Sequence, residues 1–199
     1  MIELAHVIIL KIKGKKLKTT LVFLIITVFF GVSSVADEGR EIYDSMKKLK
    51  GEWVLSDLQK QEGKAKKDKL VLSLISAGAT GMHFKLIGRS STVQEILLPT
   101  TKKEMMSMYH CKDEWCEDVK ATHYCVKQNQ PELLADEDST ENVIIYNCDM
   151  TTELCQSDAD HVHKIKHEIS DDGKHLKTTY TSWKYGEYLD DLIYHFDRK

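Results

Sequence analysis

From Glu52 to the C-terminus the chain alternates apolar and polar residues with period two, in short runs broken by turn residues. Successive side chains on a strand point to opposite faces, so this period selects β-structure with one dry and one wet face. The runs cover residues 52–57, 70–76, 82–89, 92–98, 103–111, 118–126, 142–148, 161–169, 176–183 and 187–196. Gly78 to Gly81, Ser90-Ser91, Pro99-Thr100, Asn129 to Pro131, Asp171-Asp172-Gly173 and Gly186 separate them. About ten consecutive strands with hairpin-length links predict an up-and-down antiparallel sheet, and closing it into a barrel removes its exposed edges. Barrels of this size have room for one small ligand. Before the first strand, Ile42, Met46 and Leu49 recur at helical spacing, which predicts one short amphipathic N-terminal helix ended by Gly51. The expected fold is therefore mostly β.

The first 36 residues are expected to be a leader. Lys11, Lys13, Lys15, Lys16 and Lys18 precede an apolar run of 12 residues from Leu21 to Val32, and Ser34-Val35-Ala36 places small residues where a signal peptidase reads. That order describes a secretory signal peptide cleaved after Ala36. A membrane-spanning helix needs ~20 apolar residues, so no permanent membrane anchor is expected, and no Cys stands at the cleavage site to carry a lipid. The predicted location is periplasmic or secreted. Removing 36 of 199 residues leaves a single domain of 163 at positions 37–199. The leader carries five Lys against one Glu, a net of +4, so a whole chain at −3 leaves −7 on the domain. Its Lys residues are interspersed with Asp and Glu, unlike the basic stripe of a nucleic-acid binder, so no nucleic-acid partner is expected.

All five Cys lie beyond the leader, and export makes disulfides the expectation. Cys111 and Cys116 flank Lys-Asp-Glu-Trp at a hairpin neck, and Cys148 and Cys155 flank a longer polar segment. That leaves Cys125 unpaired within a strand, with a Cys125–Cys148 bridge as the alternative. A zinc site is the competing reading, but the C-x4-C, C-x8-C and C-x6-C spacings are not those of paired metal-binding cysteines.

If Cys111 faces Cys116 across the hairpin, Met108 lies opposite Val119, Met106 opposite Ala121 and Glu104 opposite His123. The more apolar face, carrying Glu104, Met106, Met108, His110, Val119, Ala121, His123 and Cys125, is expected to point inward. Glu104 would then fix the tautomer of His123. His161, His163 and His167 share one face of a later run, so His161 and His163 are candidate metal ligands, whereas His167 is expected at a solvated strand end beside charged residues. Arg89 and Glu95 are expected to pair at a barrel end. No Gly-rich phosphate loop, nucleophile elbow, HExxH or paired zinc motif is present, so nothing in the sequence marks an enzyme.

Gly51-Glu52-Trp53, following a short helix and opening the first strand, resembles the G-x-W opening of lipocalins and other calycins. The ordered series Ile87-Gly88-Arg89, Val93-Gln94-Glu95, Pro99, Met106 to His110, Thr122-His123-Tyr124-Cys125, Asn129-Gln130-Pro131 and His161-Val162-His163, with the closing strand pair, extends the likeness. Together they resemble an uncharacterised family of bacterial, often exported, lipocalin-like domains. The resemblance implies a calycin-type barrel with the helix near one end, and His123 and Asn129 near the functional end. It is also similar at fold level to nitrobindins, which bind haem through a histidine.

The functional expectation is an exported binding protein holding a small apolar molecule in its barrel. Glu104, Met106, Met108, His123, Arg89 and Asn129 are its candidate contacts, and no cofactor is specified. The alternatives are haem or metal binding through His123, His161 or His163, a hydrolase- or isomerase-like enzyme using His123, and a structural envelope protein with a filled barrel.

Overall fold

The computed structural model describes residues 35–62 and 64–199. Apart from its last two positions, the leader expected at 1–36 lies outside the described residues. The strands are β1 Gly51–Leu55, β2 Thr80–Ile87, β3 Thr92–Leu97, β4 Met105–Cys111, β5 Val119–Tyr124, β6 Glu132–Ala135, β7 Val143–Cys148, β8 His161–Ile169, β9 His175–Lys184 and β10 Glu187–Arg198. Each pairs antiparallel with the next, and β10 returns to pair with β1 through Trp53↔Arg198 and Leu55↔Phe196. The sheet is a closed barrel of ten strands. Alternation sets its inside: Val93, Glu95 and Leu97 of β3 are buried, as are Leu176, Thr178, Tyr180 and Ser182 of β9. Trp53, Phe84, Tyr109, Tyr146, Tyr180 and Phe196 are all fully buried. Burying such rings contributes on the order of 4–6 kcal/mol each before the entropy of ordering them.

Helix α1 (Val35–Lys48) buries Ile42, Tyr43 and Met46 at spacings that place them on one stripe, and ends in Lys47 and Lys48, whose charge suits a helix C-terminus. It closes one end of the barrel. Tyr43 donates its hydroxyl to Ser90 O at 3.0 Å, and Arg40 reaches the carbonyls of Glu114 and Trp115. The backbone approach is tight at Gly39, where a Cβ would stand 2.3 Å from the carbonyl oxygen of Cys116.

The opposite end carries the helix α2 (Lys69–Ala77), where the alternating pattern predicted a strand over residues 70–76. Asp68 caps it by accepting from the Leu70 N–H at 2.9 Å, and Gly78 ends it in a left-handed conformation at φ +59°. Val71, Leu74 and Ile75, at helical spacing, face the core. The strand count nevertheless reaches ten because β6, a four-residue strand absent from the sequence reading, joins β5 to β7.

The β4–β5 hairpin is also corrected. Its register pairs Cys111↔Val119, Met108↔Thr122 and Ser107↔His123, three residues away from the expected one. An odd slip reverses one strand's faces. Ser107 and Tyr109 therefore point inward with Val119, Ala121 and His123, and Met106 and Met108 lie on the half-exposed outer face. The neck is Lys112–Asp118, closed by the Lys112 N–H donating to Asp118 O at 2.9 Å. Cys116 sits inside that loop rather than across from Cys111.

Disulfides join Cys111 to Cys116 and Cys148 to Cys155, and Cys125 is free. Such bonds persist in non-reducing surroundings. Among the described residues no helix is long and apolar enough to cross a membrane.

Candidate functional site

At the barrel's centre β3 carries a carboxylate where its pattern demands an apolar residue. Glu95 is fully buried, and three hydroxyls converge on it. Tyr109 donates to Oε2 at 2.6 Å, Ser107 donates to Oε1 at 3.3 Å, and Tyr180 donates to Oε1 as well. Burial raises the Glu95 pKa, and the bonds from Tyr109, Tyr180 and Ser107 oppose it. Both tyrosines are pushed well above their ordinary range, first by burial and then by the charge of Glu95, so they remain donors.

Two histidines extend the network. His167 is fully buried. Its Nε2 lies 3.1 Å from the Tyr109 hydroxyl and its Nδ1 3.0 Å from Thr178 Oγ1. Since Tyr109 gives its proton to Glu95, its oxygen accepts from His167 Nε2–H, and His167 Nδ1 accepts from Thr178. Burial lowers the His167 pKa to about 3. On the other side, His123 Nδ1 is 2.9 Å from Ser107 Oγ. Ser107 donates to Glu95, so His123 Nδ1–H donates to Ser107 and His123 Nε2 is left a bare acceptor. Among the described residues Nε2 is buried without a partner, and so is the Tyr146 hydroxyl. Burial, then the charge of Lys127, lowers the His123 pKa to about 4. Here the serine stands between imidazole and carboxylate. A nucleophile–base relay places the imidazole in the middle.

Next to this network, at the end where α2 lies, is a cavity of about 280 Å³. Met105, Val126, Val162, Leu192, Tyr180 and Tyr194 make its apolar wall, with Asp68, Lys103, Cys125, Lys127 and Ser182 as the polar part. Tyr180 belongs to both features: its ring lines the cavity, its hydroxyl binds Glu95, and the His123 ring centroid is 5.6 Å from its own. The mouth is framed by ion pairs of Lys103 with Asp68 and of Lys127 with Asp160.

Several expected contacts lie elsewhere. Glu104 is exposed and accepts from the Thr100 N–H, far from pairing with His123, whose cross-strand partner is Ser107. Arg89 sits exposed in the β2–β3 turn at φ +56°, while Glu95 is inside the barrel, so the expected ion pair does not form. His167, expected in solvent, is buried because Lys166 and Glu168 beside it turn outward and pair with each other at 3.0 Å. Asn129 donates to Asp160 O at 2.8 Å and accepts weakly from the Cys125 thiol, which places both in the β5–β6 link at the cavity end. Cys125 is half-buried just past β5, not within a strand. His161 and His163 are in contact, with His161 Nε2 3.0 Å from His163 Nδ1, because a bulge at His163 breaks the regular β8–β9 register. The Glu95–Tyr109–Tyr180 cluster went unseen in the sequence. Its only signal was a Glu at an inward position of an apolar strand.

No family model, curated protein or solved structure matches the chain.

Proposed function

We propose that this protein is an exported binding protein that holds one small, largely apolar molecule in the cavity beside Tyr180, with a donor group of that molecule reaching His123 Nε2. The observation that carries the reading is an apolar cavity within a closed barrel whose wall residue Tyr180 packs against His123, a buried imidazole whose Nε2 has no partner among the described residues. An unsatisfied buried polar atom costs about 1–3 kcal/mol, so a site that keeps one is poised to gain by satisfying it. Apolar walls with a few fixed polar groups are the usual make-up of a small-molecule pocket. The volume of about 280 Å³ suits a compact molecule rather than a tetrapyrrole. The likeness of Gly51-Glu52-Trp53 and the series after it to lipocalin-like domains supports the same reading, and two disulfides suit an exported chain.

Native mass spectrometry of protein purified under non-denaturing conditions from cells that make it tests this. A bound mass is expected, lost in Leu192→Trp, which fills the cavity, and retained in Leu189→Ser on the outer surface. Protein that carries no added mass and shows no rise in melting temperature with small aromatic and aliphatic alcohols would remove the reading.

A further inference from the structure

The fold brings both cysteines of one disulfide and two histidines to a single spot. One ring nitrogen of His161, one of His163 and Cys148 Sγ all lie within 4.8 Å of one another, the two rings meet at His161 Nε2 and His163 Nδ1, and Cys155 adjoins them through its bond to Cys148. Local structure supplies each group: Cys148 ends β7, His161 opens β8, the bulge turns His163 toward His161, and the β7–β8 link returns Cys155 to the strand end. His161 at 1% exposed, Cys155 at 4% and Cys148 at 5% are buried there, and His163 is half-buried.

The protons on the two rings can be assigned. His161 Nδ1 lies 2.7 Å from the carbonyl oxygen of Ala159, which only accepts, so Nδ1 carries the proton and Nε2 a lone pair. His163 Nδ1, 3.0 Å from that lone pair, donates to it. A backbone carbonyl holding the far N–H is also what fixes the tautomer of a metal-ligating imidazole. His163 is held in turn by stacking on Trp183, with centroids 3.8 Å apart. A tetrahedral ion with Zn–N bonds of ~2.05 Å sets two nitrogens about 3.3 Å apart. The observed 3.0 Å needs to open by only a few tenths of an ångström once a cation replaces the shared proton.

We propose that Cys148, Cys155, His161 and His163 form a redox-gated zinc site. In the disulfide form the sulfurs are bonded to each other and only two imidazoles face the spot. A dithiol reductant delivers two electrons and two protons, leaves as its own disulfide, and converts Cys148 and Cys155 to thiols. Zinc then displaces the two thiol protons, the His163 proton moves from Nδ1 to Nε2, and a Cys2His2 set is complete. Thiolate with imidazole is a donor set that suits this ion.

Cobalt(II), added to the full chain, is the optical probe. Protein treated with a phosphine reductant is expected to bind one cobalt per chain with a thiolate-to-cobalt charge-transfer band, bleached by zinc. Untreated protein is expected to show no such band. Reduced Cys111→Ser protein, which lacks the other disulfide, keeps the band. Cys155→Ser frees Cys148 without any reductant and is expected to give a band of about half the intensity. His161→Ala or His163→Ala added to it is expected to weaken cobalt at least 10-fold. A silent Cys155→Ser protein, a band that survives His161→Ala at unchanged affinity, or a band in the untreated disulfide form would each overturn the proposal.

Discussion

The guanidinium of Arg198 lies 4.2 Å over the indole of Trp53 while bonding three backbone carbonyls, those of Lys48, Lys50 and Gly173. One side chain thus covers the buried ring of β1, ties down the end of α1 and holds the β8–β9 turn. Arg198→Ala is expected to lose about 2 kcal/mol, read as a urea midpoint lower by roughly 1 M. Arg198→Lys should recover little, because an ammonium cannot stack on the ring and reach three carbonyls at once.

The carboxylate of Glu95 answers two tyrosine hydroxyls that have no water to turn to. Glu95→Ala is expected to destabilise by about 3 kcal/mol or more, since it orphans those donors and opens a void. The triple variant Glu95→Leu, Tyr109→Phe, Tyr180→Phe should regain part of the loss, because both tyrosine donors leave with the carboxylate while His167 Nε2–H loses its Tyr109 acceptor. Denaturant titration of the single and triple variants checks both outcomes. A triple variant no more stable than Glu95→Ala would refute this account of the network.

Acid should unfold the protein through its interior histidines. His123 and His167 titrate in the fold at about 4 and about 3, below the ordinary value of 6.5. The unfolded chain therefore binds more protons, so stability is fully present above pH 6.5 and falls as pH drops toward those folded values. Each histidine contributes a slope of up to about 1.4 kcal/mol per pH unit between 6.5 and its folded value. Glu95 acts in the opposite direction, because burial raises its pKa and makes the fold less costly when it is protonated. Urea midpoints should hold from pH 7.5 to about 6.5 and then fall down to pH 4.5, and His167→Gln should flatten the fall by about one proton.

Gly39 permits the closest backbone approach in the barrel's plug. A Cβ there would meet the carbonyl oxygens of Cys116 and Glu117 at 2.3 and 2.5 Å, and neither can rotate away. Gly39→Ala is expected to displace α1 from the β4–β5 loop at a cost of about 1–3 kcal/mol, despite alanine's better helix propensity. Hydrogen exchange should report it as faster amide exchange along α1.

What was legible in the sequence was what short-range alternation controls. The run predicted at 161–169 is β8 residue for residue, and both disulfides join cysteines close in sequence. Residues 70–76 misled because a short, mostly apolar run fits a strand as readily as a helix, and the deciding signals were its caps, Asp68 and Gly78. The inward face of β4 was lost by reading Cys111 and Cys116 as a cross-strand pair, when the neck lies at Lys112 and Asp118. The Glu95 cluster draws on β3, β4 and β9, so it exists only once the sheet has curled and no local pattern announces it.

The seam between β1 and β10 has a consequence for how the chain acquires its interior. Arg198 and Lys50, which meet there, are 148 positions apart. Until β10 folds back on β1, the earlier strands form an open ribbon with two bare edges. Contacts this distant in sequence form slowly. Sealing is therefore a late event, and the carboxylate and imidazoles of the centre stay wet until it happens.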